Sequence, residues 1–209
     1  MKVNYNLYLV TEESVSVEKL LYTVEEAVKG GVTLVQLREK LSNGQTFFEK
    51  AKKLKELLSR YQVPLIINDR IDVALAIEAD GVHIGQSDLP LTAVREIVPK
   101  SMIVGVSVST TEEAIEAEQN GANYIGVGAL FPTTSKADAK VLPKGMIDSI
   151  IEKVSIPIVA IGGIHLENIA EIRDKNIAGI AVVSGIMKAD APFNAAKAFR
   201  DCLKIPKEA

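Results

Sequence analysis

The sequence predicts an α/β fold in one domain over residues 1–209, a single (β/α)8 TIM barrel, and three features carry that expectation. Short Val/Ile/Leu runs recur along the chain without the alternation of a half-exposed strand, as in parallel strands covered on both faces. Segments with apolar residues at helical spacing separate them, so strand and helix alternate from end to end. A third feature is a repeated cadence of helix tail, glycine stop and buried strand. It occurs at Glu78-Ala79-Asp80-Gly81 before Val82, at Gln119-Asn120-Gly121-Ala122 before Tyr124, and at Lys175-Asn176-Ile177-Ala178-Gly179 before Ile180.

In order, Leu7-Tyr8-Leu9-Val10 reads as the first strand. A helix over 17–29 follows, with Leu20, Leu21, Val24, Ala27 and Val28 on one face and Gly30-Gly31 as its stop. The next strands are Leu34-Val35-Gln36-Leu37, Leu65-Ile66-Ile67, Val82-His83-Ile84 and Met102-Ile103-Val104-Gly105-Val106. Tyr124-Ile125-Gly126-Val127, Ile158-Val159-Ala160-Ile161 and Ile180-Ala181-Val182-Val183 complete the set, and each strand has a candidate helix after it. Thr46-Phe47-Phe48-Glu49 and Ser109-Thr110-Thr111-Glu112 carry the capping-box pattern of helix starts. The interval between strands three and four leaves room only for a short helix, yet enough for a parallel crossover. Eight units close into a barrel that is small for its class, where about 250 residues is typical. A doubly wound open sheet would want a glycine-rich phosphate turn after the first strand, and Thr11-Glu12-Glu13-Ser14 is not one.

Composition narrows the function. With 47% hydrophobic and 24% charged residues the chain reads as an ordinary soluble protein with one sizeable core. Its net charge of -3 offers no general basic field, so no nucleic-acid partner is expected and any phosphate must meet a local cluster. The single cysteine, Cys202, excludes an internal disulfide and suits a reducing compartment; it reads as a packing residue of the last helix. The first residues lack a signal-peptide pattern and no apolar run reaches membrane-spanning length, so a cytoplasmic protein without a membrane partner is expected.

In a parallel barrel the active residues stand at the C-terminal ends of strands, and here those ends are polar. The two-residue period places Gln36 and Arg38 toward the barrel mouth, Val35 and Leu37 toward the helices, and Lys40 just above. Alone, Arg38-Glu39-Lys40 would read as a solvated charge run. Strand three ends in Asn68-Asp69 and strand four in Gly85-Gln86-Ser87-Asp88. Either aspartate alone reads as a helix cap. Together, facing Arg38 and Lys40, they read as a cradle for a diphosphate and Mg2+, a hard cation that pairs one or two carboxylates with substrate oxygens. Ser107 offers a hydroxyl at the end of strand five. After strand six a long loop carries Thr133, Thr134, Ser135 and Lys136, the composition of a phosphate-gripping lid. Gly162-Gly163 after strand seven exposes main-chain N–H groups, and Val183-Ser184-Gly185 repeats the design after strand eight, where barrels often bind phosphate. His83 reads as a hydrogen-bonded core residue and His165 as a cap or surface residue.

The stretches Gln36-Leu37-Arg38-Glu39-Lys40, Asn68-Asp69, His83-Ile84-Gly85-Gln86-Ser87-Asp88, Gly105-Val106-Ser107, Phe131-Pro132-Thr133-Thr134-Ser135-Lys136, Ile161-Gly162-Gly163-Ile164 and Val183-Ser184-Gly185, in this order, resemble the thiamine-phosphate synthase family over essentially the full length. The resemblance implies an enzyme joining 4-amino-2-methyl-5-hydroxymethylpyrimidine diphosphate to 4-methyl-5-(2-hydroxyethyl)thiazole phosphate, with Mg2+ bound and pyrophosphate released. It implies that Asp69 and Asp88 hold the metal and that Arg38, Lys40, Asn68 and Lys136 grip the pyrophosphate. Gln36 and Ser107 would lie beside the pyrimidine, Thr133 and Ser135 on the thiazole-phosphate side, and main chain at Gly163, Val183 and Ser184 on its phosphate. Arg38, Lys40, Ser107 and Lys136 are the implied catalytic set. A homo-oligomer is compatible with all of this.

The chain departs from the family's habit at Ser109, where histidine is common, at Ser135, where threonine is usual, and at Ala129, where proline is frequent. A thiazole tautomerase or a non-catalytic thiazole-phosphate regulator of the same superfamily would share the barrel. Such relatives tend to lose the diphosphate and metal residues, and the tautomerase is associated with a histidine where this chain has Ala129. An aldolase would want a Schiff-base lysine inside a strand, and no strand core here contains one.

Overall fold

The eight predicted strands all form in the computed structural model, which describes residues 3–13, 15–135 and 139–203. They are β1 (Leu7–Val10), β2 (Leu34–Leu37), β3 (Leu65–Asn68), β4 (Gly81–Ile84), β5 (Ile103–Val108), β6 (Tyr124–Val127), β7 (Ile158–Ile161) and β8 (Gly179–Val182). Every neighbouring pair is parallel and β8 returns to β1, with Leu9 beside Val182, so the barrel closes. The period-two reading of β2 holds. Leu34 joins Tyr5, Tyr8, Val10, Ile66, Tyr124, Val159 and Ala181 inside the barrel, whereas Val35 and Leu37 join the larger core between strands and helices.

The helices are α1 (Val17–Gly30), α2 (Gly44–Tyr61), α3 (Ile71–Ala76), α4 (Leu91–Ile97), α5 (Thr111–Gln119), α6 (Met146–Ile151), α7 (Ser184–Met187) and α8 (Pro192–Leu203). The crossover from β3 to β4 holds the short helix expected of it. After β7 the expected helix is reduced to a 3-10 turn, Ile169–Glu171. There Asn168 turns the chain back on itself, accepting from the His165 N–H at 2.8 Å and donating to the Gly163 carbonyl at 2.8 Å. His165 itself is exposed, and Cys202 packs against the core from α8, both as expected. No helix among the described residues is long and apolar enough to cross a membrane.

Two of the sequence-level signals belong to other residues. The N-cap of α2 is Asn43, whose side chain accepts from the Thr46 N–H at 2.9 Å, so Thr46 lies inside the helix rather than at its cap. The box at α5 is shifted by one residue. Thr110 accepts from the Glu113 N–H at 3.2 Å. The Glu113 carboxylate reaches back to the Ser109 N–H at 2.6 Å, one residue before the cap, a variant of the reciprocal pair. The glycine cadence also has two causes. Gly31, with φ 123°, caps α1 with its N–H on the Ala27 and Val28 carbonyls. Gly81 is instead the first residue of β4, where a Cβ would stand 2.5 Å from the Ile103 carbonyl oxygen, so close strand approach and not helix termination requires it.

Candidate active site

The site grows from the strand ends in turn. At β2, Gln36 is buried within the barrel and donates from Nε2 to the Tyr8 hydroxyl at 2.8 Å. One residue pair further on, the chain leaves the sheet and its charges separate by side. Glu39 turns toward α2, where it is buried against Lys50 Nζ at 2.8 Å and accepts from Ser42. Arg38 and Lys40 face the other way, so the triplet is not a solvated run. Glu13, from the loop after β1, takes Arg38 Nη1 at 3.3 Å and the Lys40 main-chain N–H at 2.7 Å. The Lys40 ammonium pairs with Asp69.

Asp69 follows β3 with φ 60°. This is a left-handed conformation that aspartate and asparagine tolerate better than most residues. Its N–H is held by the His83 carbonyl at 2.9 Å. Asp88 lies in the loop after β4, where its Oδ2 accepts from the Gly85 N–H at 2.7 Å. The Asp88 carboxylate lies close enough to act on that of Asp69. Burial raises the Asp69 carboxyl above the ordinary carboxylate range; Asp88 adds to the rise and Lys40 opposes it. Neither aspartate caps its following helix: α3 begins after Arg70 and α4 after Pro90, both without a side-chain cap bond. The helix-cap reading of this pair is thereby excluded.

Two converging carboxylates, one of them unfavourably ionised, are a donor set suited to a hard divalent cation. No group of three or more His, Cys, Asp or Glu fit for a metal is present among the described residues.

Across the mouth, Ser107 on β5 contacts His83 Nε2 at 2.8 Å, and its carbonyl accepts from Gln86 Nε2 at 2.7 Å. His83 Nδ1 meets the Tyr124 hydroxyl at 2.9 Å, and Tyr124 meets Tyr8 at 2.8 Å. The core reading of His83 is therefore right, and it joins Ser107 to Gln36 through two buried tyrosines. Burial keeps both hydroxyls protonated well above the ordinary phenol range. Tyr8, Tyr124 and Glu13 were not singled out in the sequence. The tyrosines left a signal, a hydroxyl inside otherwise aliphatic strands. Glu13 left none, because nothing local distinguishes it from its neighbour Glu12.

On the far side the bare faces of the two glycines are filled. Gly162 and Gly163 have φ 97° and 66°, and the loop after β6 lies against them, with a Cβ on Gly163 falling 2.7 Å from the Phe131 carbonyl oxygen. The Leu130 and Phe131 N–H groups donate to the Ile161 and Gly162 carbonyls, both at 3.0 Å. The double glycine thus seats the loop carrying Thr133 and Ser135, in which the Ser135 N–H donates to the Thr133 hydroxyl at 3.2 Å. Lys136 lies outside the described residues. Val183 precedes α7, which opens at Ser184, the short helix expected beside the last strand.

The sequence model of the thiamine monophosphate synthase family matches residues 7–186, from β1 into the short helix after β8. The chain belongs to the thiamine monophosphate synthase family. Thiamine-phosphate synthase of Clostridium acetobutylicum is 51% identical to it over 97% of this chain and 96% of its own length. That of Methanobrevibacter smithii is 50% identical over 91% of each. The solved thiamine phosphate pyrophosphorylase of Pyrococcus furiosus superposes with a TM-score of 0.87 at 39% identity, covering 96% of both chains. A 3-hexulose-6-phosphate synthase at 16% identity and TM-score 0.70 shares the barrel alone.

Proposed function

We propose that this member of the thiamine monophosphate synthase family joins 4-amino-2-methyl-5-hydroxymethylpyrimidine diphosphate to 4-methyl-5-(2-hydroxyethyl)thiazole phosphate and releases pyrophosphate. The observation that carries the reading is the contiguous cluster Arg38, Lys40, Asp69 and Asp88 at adjoining strand ends. The C–O bond to the diphosphate breaks and the leaving group takes both electrons. A pyrimidine-methyl cation remains, and the lone pair of the thiazole nitrogen closes the C–N bond. No side-chain nucleophile or proton transfer is required, only neutralised charge on the leaving group and two substrates held in attacking order.

In this reading Arg38, Lys40 and Asn68 hold the diphosphate, with Lys136 from the loop. Gln36 and Ser107 hold the pyrimidine. Thr133, Ser135 and the main chain at Gly163, Val183 and Ser184 take the thiazole phosphate. Asp69 and Asp88 would hold Mg2+, which supplies further positive charge to the departing diphosphate. Because Glu13 already holds the Arg38 guanidinium and Asp69 the Lys40 ammonium, both cations stand in place before substrate arrives. Cytoplasmic placement fits the lone Cys202. Pyrophosphate release from the two substrates together, with and without Mg2+, tests the reading. Release requiring both substrates and the metal is expected, and none with either Mg2+ or Mn2+ present would end it.

A further inference from the structure

A chain of four hydrogen bonds crosses the barrel interior, from Gln36 through Tyr8, Tyr124 and His83 to Ser107. The charge chemistry of the proposed reaction does not use it. The polarity proposed below is the one that starts from its first link. Gln36 Nε2 donates to the Tyr8 oxygen, so the Tyr8 proton has the Tyr124 oxygen as its acceptor. The Tyr124 proton then goes to His83 Nδ1, and His83 carries its own proton on Nε2, toward the Ser107 oxygen. Tyr8 and Tyr124 are 2% and 0% exposed, so water does not interrupt the sequence. At the mouth this leaves Ser107 with a hydroxyl proton to give. It leaves Gln36 with its carbonyl oxygen and second N–H, the pair by which glutamine reads an amino group beside a ring acceptor nitrogen.

We propose that Tyr8, Tyr124 and His83 are positioning residues whose one-directional relay fixes the Gln36 amide and the Ser107 hydroxyl, so that the site selects a pyrimidine bearing an exocyclic amino donor over its oxo analogue. The proposal rests on the reaction above and adds the element that sets its specificity. Reversed polarity would turn the Gln36 carbonyl toward Tyr8, present its N–H groups at the mouth, and invert the preference. Both buried phenols keep their protons, which the relay requires.

The test compares kcat/KM for the aminopyrimidine diphosphate and its oxo analogue in the wild type, Tyr8→Phe and Tyr124→Phe, with nitrogen NMR of His83. The wild type is expected to favour the amino substrate by orders of magnitude, since the wrong partner leaves buried polar groups unpaired. Each phenylalanine variant should narrow that preference by about tenfold or more while the KM for thiazole phosphate stays unchanged. His83 should be the neutral Nε2–H tautomer. An unchanged preference in variants that still bind thiazole phosphate overturns the relay, as does an Nδ1–H tautomer in the wild type, which decides the matter even if neither variant folds. A wild type that turns over neither pyrimidine defeats the proposed reaction and this inference with it. Turnover of both at similar rates defeats the inference alone.

Discussion

Asp69 shows how a single residue is shaped by what surrounds it. Its carboxyl is raised by burial and by Asp88, against the pull of Lys40, so the folded state holds the proton more tightly than the unfolded chain does. The corresponding stability is fully present below the ordinary aspartate range and is lost as pH rises through the higher folded value. Asparagine keeps the shape, tolerates the left-handed backbone and carries no charge. Without divalent cation, Asp69→Asn should therefore melt higher than the wild type at neutral pH, with the gap closing toward about pH 4. Thermal denaturation across that range decides it, and a variant melting lower at neutral pH contradicts the assignment. Asp88→Ala should cut turnover by roughly a hundredfold or more, the scale of a lost electrostatic contact to a departing charge. Thiazole-phosphate binding, followed by calorimetry, should survive. Undiminished turnover would overturn the proposed metal role of Asp88.

At the scale of elements, the turn after β2 matters most. Strand alternation alone sends Arg38 and Lys40 to one side, but the buried Glu39–Lys50 pair is what ties that turn to α2. Lys50→Met leaves Glu39 charged, buried and held only by Ser42, and should cost roughly 3–5 kcal/mol. Adding Glu39→Gln should recover most of the loss in urea denaturation. No recovery in the double variant would mean the pair is not what anchors the turn. The β6 loop has a matching anchor at Gly163, where a side chain meets both a left-handed backbone and the Phe131 carbonyl. Gly163→Ala should cost about 1–3 kcal/mol and raise the KM for thiazole phosphate more than that for the pyrimidine substrate. Equal effects on both would separate the loop from the thiazole side. The capping signals at α2 and α5 were legible as helix starts but displaced, because threonine and serine recur near both and only the folded backbone shows which oxygen reaches an N–H.

For the whole molecule, function depends on closure. The barrel brings Glu13 to Arg38, Lys40 to Asp69, and Tyr8 to Tyr124 across 116 residues of chain. A ligand bridging several strand ends binds only the closed form, so it should stabilise the whole fold. Saturating Mg2+ and pyrophosphate together, at about a hundred times their dissociation constant, should add about 2.7 kcal/mol to unfolding. Asp88→Ala should abolish the Mg2+-dependent part, and an equal gain in that variant would place the ion elsewhere.

Local pattern was enough for the strands, the barrel, the inward face of Gln36 and the place of Arg38, Asp69 and Ser107 at or just past strand ends, since periodicity and glycine placement act between near neighbours. The pairing of Asp69 with Asp88 in preference to helix capping, the hold of Glu13 on the Arg38 guanidinium and the Lys40 main chain, the loop seated on Gly162-Gly163 and the tyrosine–histidine chain had to await the closed barrel. Each is a contact between groups far apart in sequence, and its energy comes from burial that exists only once the last strand has met the first.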